Sequence, residues 1–152
     1  MQRVVILGRG AAGKSTLAQM LSRNLGVPVT ELDSIFWRPG VRPTPEPEWT
    51  AIQRELVARE RWIIDGDLGP YDTGLALRLG AADTIVVLDF PLWRCAWRAL
   101  RRSRETREFW SWVVRYRRES LPAIEQAVAT HAPDAAVQLL HNPRQVRRFL
   151  GG

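Results

Sequence analysis

Residues 8 to 15 read Gly8-Arg9-Gly10-Ala11-Ala12-Gly13-Lys14-Ser15, which fits G-x-x-x-x-G-K-[ST]. A short β-branched apolar run at 3–7 precedes this loop. A segment with Leu17, Ala18, Leu21 and Leu25 on one helical face follows it. A buried strand leading through glycines into a helix needs other strands beside it, and the rest of the chain offers them. Strands are expected at 27–32, 61–64, 84–88 and 136–140. Helices are expected at 14–25, 48–59, 91–102, 109–130 with a kink at Pro122, and 143–150, with a short one at 71–79. Prolines 39, 43, 45 and 47 make 39–47 a loop. Four of the five strands are continuous apolar runs, as a parallel sheet covered on both faces requires. Strand and helix alternate throughout, which predicts a doubly wound α/β domain with right-handed crossovers.

The length of 152 residues suits one domain, 1–152. No apolar run approaches the roughly 20 residues that span a bilayer. The N-terminus also lacks the order of charge, apolar stretch and cleavage site of a signal peptide. A cytoplasmic protein with no membrane role is expected. The single cysteine, Cys95, excludes an internal disulfide. The formal charge of +6 invites a nucleic-acid reading, but its chemistry is one-sided. Of 22 basic residues, Lys14 is the only lysine, and eight arginines fall between Arg98 and Arg118. A chain that uses arginine everywhere else keeps the compact ammonium inside the glycine loop. Arginine's planar fork suits phosphate oxygens.

The loop predicts a polyphosphate ligand, ATP with Mg²⁺. Gly8, Gly10, Ala11, Ala12 and Gly13 would turn successive backbone N–H groups into one concavity. The helix N-terminus adds a dipole favourable to an anion. Lys14 would reach the β- and γ-phosphates, Ser15 would bind the metal, and Thr16 would lie near the α-phosphate.

Four segments together resemble the small P-loop kinases of the adenylate kinase and shikimate kinase group. They are the loop at 8–16, Leu32-Asp33-Ser34-Ile35-Phe36-Trp37-Arg38-Pro39-Gly40, Arg61-Trp62-Ile63-Ile64-Asp65-Gly66, and Ala82-Asp83-Thr84 through Asp89-Phe90-Pro91. Within that group the chain is similar to a bacterial branch labelled adenylate kinase-like or DNA topology modulation protein. The resemblance implies a three-layer P-loop NTPase fold, a five-stranded parallel sheet of order 2-3-1-4-5 and a short lid at 103–108. It also implies an ATP-dependent kinase, a phosphotransferase. By the same resemblance Asp65 would orient water on Mg²⁺, with Asp89 as the rival. Asp33 would contact the acceptor hydroxyl as general base, and Arg98 and Arg102 would flank the nucleotide as catalytic groups. Asn142 would sit where related kinases wrap the adenine.

Arg38, just past Asp33, is a candidate to hold an anionic group on the acceptor. Arg115 follows on the next helix as a further acceptor contact. The chain departs from adenylate kinases after Asp65-Gly66, where Asp67-Leu68-Gly69 replaces Phe-Pro-Arg. Arg78 is the candidate to replace the missing arginine. The leading reading is transfer of the ATP γ-phosphate to the hydroxyl or phosphate of a small molecule. The alternative is a nucleotide-binding protein or NTPase with a regulatory or DNA-associated role, although no helix-turn-helix or zinc-finger spacing is present. Seven tryptophans leave room for an apolar interface, so monomer and homodimer both stay open.

Overall fold

A computed structural model describes residues 1–102 and 106–151, with the backbone only of Pro70 and Arg102. Strand β1 (Arg3–Gly8) runs into helix α1 (Lys14–Leu25) through the glycine loop. Then come β2 (Val29–Glu31), α2 (Leu32–Phe36), β3 (Trp37–Arg38), β4 (Arg42–Pro43) and α3 (Glu46–Val57). Next are β5 (Trp62–Asp65), a 3₁₀ turn (Gly69–Tyr71), α4 (Leu75–Ala81) and β6 (Thr84–Leu88). The chain finishes with α5 (Leu92–Arg102), α6 (Arg107–His131), β7 (Ala136–Leu140) and α7 (Pro143–Gly151).

Five of these strands form one parallel sheet in the order β2-β5-β1-β6-β7. Counting only the strands of this sheet, the order is 2-3-1-4-5, because β3 and β4 pair separately as a small antiparallel hairpin. Side chains alternate across the pleat and fill two cores. Val5, Leu7, Ile64, Ile85 and Val87 pack with Trp49 of α3, Leu79 of α4 and Tyr116 of α6. Val4, Ile6, Ile63, Val86 and Leu88 pack with Leu17 and Leu21 of α1 and Cys95 of α5. Helices thus cover both faces of a central sheet in which β5 and β6 are buried along their whole length and β1 from Val4 onward. Each fully buried Val, Leu or Ile there contributes about 1.5–3 kcal/mol relative to exposure. Among the described residues no helix is long and apolar enough to cross a membrane.

Several boundaries differ from expectation. The strand expected at 27–32 is shorter, and its last residue opens α2, which a five-residue helix is too brief to announce by periodicity. The proline-rich loop at 39–47 contains β4, which pairs back on β3 just before it to form the hairpin. Pro43 fits there because a two-stranded ribbon leaves one N–H side of each strand unpaired. Helix α3 starts at Glu46 and carries Pro47 in its first turn, where no N–H is needed. The helix expected at 71–79 is divided into the 3₁₀ turn and α4. Helix α6 runs without interruption past Pro122. Residues 103–105 of the expected lid lie outside the described residues. Thr106 caps α6, its hydroxyl oxygen accepting the Phe109 N–H at 3.2 Å.

Candidate active site

The parallel strands bring the loops after β1, β2 and β5 to one end of the sheet, where ligands bind in open α/β folds. A cleft of about 620 Å³ opens there. Its floor is the glycine loop and its far wall carries Glu31, Asp33, Trp37 and Tyr71. The 65–69 segment and the start of α6, with Phe109 and Trp112, complete it.

The loop is shaped for an anion. Ala11 (φ 59) and Gly13 (φ 100) are left-handed, so the amides between them curve into a nest. Helix α1 begins at Gly13 with no side-chain cap and no acidic residue in its first turn. Its first N–H groups therefore stay free for a ligand. The Lys14 ammonium donates to the carbonyls of Gly8 (2.9 Å) and Arg9 (3.3 Å), and lies 5.9 Å from the centre of the Trp112 ring. Arg98 reaches the same loop from α5, donating to the Ala12 carbonyl at 3.4 Å. Gly10, Ala11, Gly13, Lys14, Ser15 and Thr16 line the cleft, while Gly8 and Ala12 stand behind it as carbonyl acceptors. Gly10 leaves no room for a side chain, because a Cβ would lie 2.5 Å from the Phe109 ring and 2.9 Å from Trp112.

Opposite Lys14 stands Asp65, at the end of β5 and only 4% exposed. Burial raises its carboxyl above the usual carboxylate range. The Ser15 hydroxyl and the Lys14 ammonium oppose that rise, and Glu31 and Asp33 add to it. Its Oδ1 is buried without a hydrogen-bond partner. A buried, unpartnered carboxylate oxygen facing a serine hydroxyl beside a phosphate loop fits a hard divalent cation. Magnesium takes few protein ligands and completes its shell with water and phosphate. Among the described residues no cluster of three or more His, Cys, Asp or Glu is set to hold a metal by itself. Asp89, the rival, has both oxygens engaged. Arg117 Nε donates to Oδ1 at 2.8 Å, and His141 Nδ1 lies 3.3 Å from Oδ2. That carboxylate keeps the Arg117 guanidinium still more firmly protonated.

The structure gathers Lys14, Ser15, Thr16, Asp33 and Asp65 around one cleft, with Arg98 at its edge. Arg78, expected to face the cleft, is turned inward with its side chain fully buried. It donates to Asp72 at 2.5 Å and to Gln53. Arg38 pairs with Glu48 instead of lining the cleft, and Arg115 is exposed on α6. The Asn142 side chain caps α7, accepting the Gln145 N–H at 3.0 Å. The side chain of Arg102 lies outside the described residues.

Sequence reasoning passed over Asp67 and Arg9. Asp67 lines the cleft, and its Oδ1 accepts the Gly69 N–H at 2.8 Å while its Oδ2 is buried without a partner. Burial raises this carboxyl too, against the Gly69 N–H and the Lys14 charge. Arg9 occupies a variable position of the loop motif. It is buried beneath it, donating to the Phe90 carbonyl at 3.1 Å with its guanidinium 5.6 Å from the Tyr116 ring. Burial, with the negative charges of Asp67 and Asp89, pushes the Tyr116 phenol well above its ordinary value, so it stays protonated. No motif marks either residue, and only the folded chain shows what each one faces.

Fold and site together define a P-loop α/β domain with the architecture of the small kinases. No family model matches the sequence, and no curated protein matches it. Solved structures do. Shikimate kinase from Acinetobacter baumannii, in complex with shikimate, aligns over 99% of this chain and 89% of its own, at 16% identity and a TM-score of 0.66. A gluconokinase from Sinorhizobium meliloti aligns over 99% and 91%, at 17% identity and a TM-score of 0.56. A sugar kinase from Janibacter sp. aligns over 99% and 93%, at 21% identity and a TM-score of 0.57. At such identities the shared property is the fold.

Proposed function

We propose that the protein is a phosphotransferase that moves the γ-phosphate of ATP to a hydroxyl of a small molecule. One observation carries this reading. The uncapped N-terminus of α1, with Lys14, shares a cleft with Asp33, so a polyphosphate and a hydroxyl can meet between them. The names of the similar structures, shikimate kinase, gluconokinase and sugar kinase, support a hydroxyl acceptor.

Phosphoryl transfer needs positioning and charge compensation more than covalent help. The α1 amides and Lys14 would hold the β- and γ-phosphates. Arg98, already against the loop, would add charge from the nucleotide side. Ser15 and Asp65 would hold Mg²⁺, which when bound supplies positive charge at the phosphate oxygens. Asp33 would accept the acceptor's proton as the new O–P bond forms. Phe109 and Trp112 would cover the loop and keep water from the phosphate.

The test is ADP release from Mg-ATP across a wide set of hydroxyl metabolites. At least one compound should stimulate release strongly, and Lys14→Ala should lower the stimulated rate by about 10²-fold or more. If no compound stimulates release, or if Lys14→Ala turns over like the parent, the reading fails.

A further inference from the structure

Charge in the cleft is divided unevenly. The phosphate end has Lys14 and the α1 amides. The remaining wall has Glu31, Asp33 and Asp67, with Asp65 between the two ends and Glu108 near Thr106. Among the described residues lining the cleft, Lys14 is the only cation against these five carboxylates. An acidic metabolite would need a guanidinium on that wall. The arginines best placed in sequence are occupied elsewhere: Arg78 is sealed against Asp72 and Gln53, and Arg38 pairs with Glu48.

Two further observations describe what the wall would accept. Asp67 Oδ2 and Asp65 Oδ1 are buried without hydrogen-bond partners. Magnesium at Asp65 would answer one of them, and the other, sealed behind the wall, adds uncompensated negative charge to it. Beside them, Trp37 and Tyr71 meet edge to face with ring centres 5.4 Å apart, and both line the cleft. Aromatic faces next to carboxylates attract a cation and offer nothing to an anion.

Resting on the phosphotransferase reading above, we infer that the acceptor is a small hydroxyl compound bearing an ammonium group, an amino alcohol or aminosugar. Glu31 and Asp67 face its ammonium and Asp33 takes its hydroxyl proton. The acceptor oxygen bonds to the γ-phosphorus as the bond from that phosphorus to the β–γ bridging oxygen breaks. ADP leaves, the hydroxyl proton passes to the Asp33 carboxylate, and the ammonium keeps its protons.

The experiment uses the full chain with Mg-ATP and three probes of similar size: D-glucosamine, D-glucose and D-gluconate. Wider panels of amino alcohols, neutral polyols and sugar acids follow. ADP release is measured with mass spectrometry of the phosphorylated product. Ammonium-bearing compounds should stimulate release and be phosphorylated, and acids should not. Glu31→Gln should raise the KM for the amine about tenfold, and Glu31→Lys should move preference toward the acids. Stimulation by neutral or acidic compounds alone overturns the inference and leaves the phosphotransferase standing. Stimulation by no class overturns both.

Discussion

Gly13 joins two demands at one position. Its φ of 100° is one that side chains rarely adopt, and a Cβ there would lie 2.9 Å from an Arg98 guanidinium nitrogen. Gly13→Ala should cost about 1–2 kcal/mol of stability and displace Arg98 from the loop. Urea unfolding should show the first effect and calorimetry with Mg-ATP a weaker affinity. Unchanged values for both would refute this account of the loop. At this scale the shape of the glycine loop was readable in advance, because Gly13, Lys14 and Ser15 take their places through local backbone geometry that a motif encodes. The acceptor half was not. Whether Arg78 meets a ligand or Asp72 depends on a turn between β5 and α4 that spacing along the chain does not specify. Asp67 looked like a departure from a pattern, and only the folded loop brings it to the cleft wall.

Elements here are tied by a few long-range polar contacts. Asp83, just before β6, accepts the backbone N–H groups of Gln2 (2.8 Å) and Arg3 (3.0 Å) at the start of β1, and the Thr84 hydroxyl. Burial alone would raise its carboxyl. The Thr84 hydroxyl, the two N–H groups and the terminal ammonium outweigh burial and hold it below 3.8. Its contribution to stability is therefore complete above pH 3.8 and is lost as pH falls through the lower folded value. Asp83→Asn should cost about 1 kcal/mol at neutral pH after allowance for solvent screening. That difference should shrink toward zero in acid. Parallel denaturant melts from pH 7 down to about pH 2.5 read it, and a difference that grew in acid would contradict the assignment. Most elements were legible because long periodic runs determine them: α1, β6 and β7 fall at their expected bounds. Helix α2, five residues long, and the two-residue strands of the β3–β4 hairpin were not, since none is long enough to repeat the pattern that would reveal it.

Over the whole molecule, parallel pairing places the carboxyl ends of the five sheet strands on one side, so a ligand there touches loops from both halves of the chain. Binding should therefore stabilise the entire cooperative unit. Mg-ATP at about 100 times its Kd should add about 2.7 kcal/mol, a rise in Tm of roughly 5–10 °C for a domain of this size. Lys14→Ala should abolish most of that rise, as differential scanning calorimetry would show. An equal rise in the variant would remove the ammonium from the account. The indole over Lys14 gives the molecule one more property. Trp112 sits 5.9 Å from that ammonium, so drawing the charge away toward a phosphate changes the electric field its excited state feels. Intrinsic emission should shift on adding nucleotide, and the shift should vanish in Trp112→Phe although six other tryptophans remain. Such a shift would give the protein its own optical gauge of nucleotide occupancy, readable without any added dye.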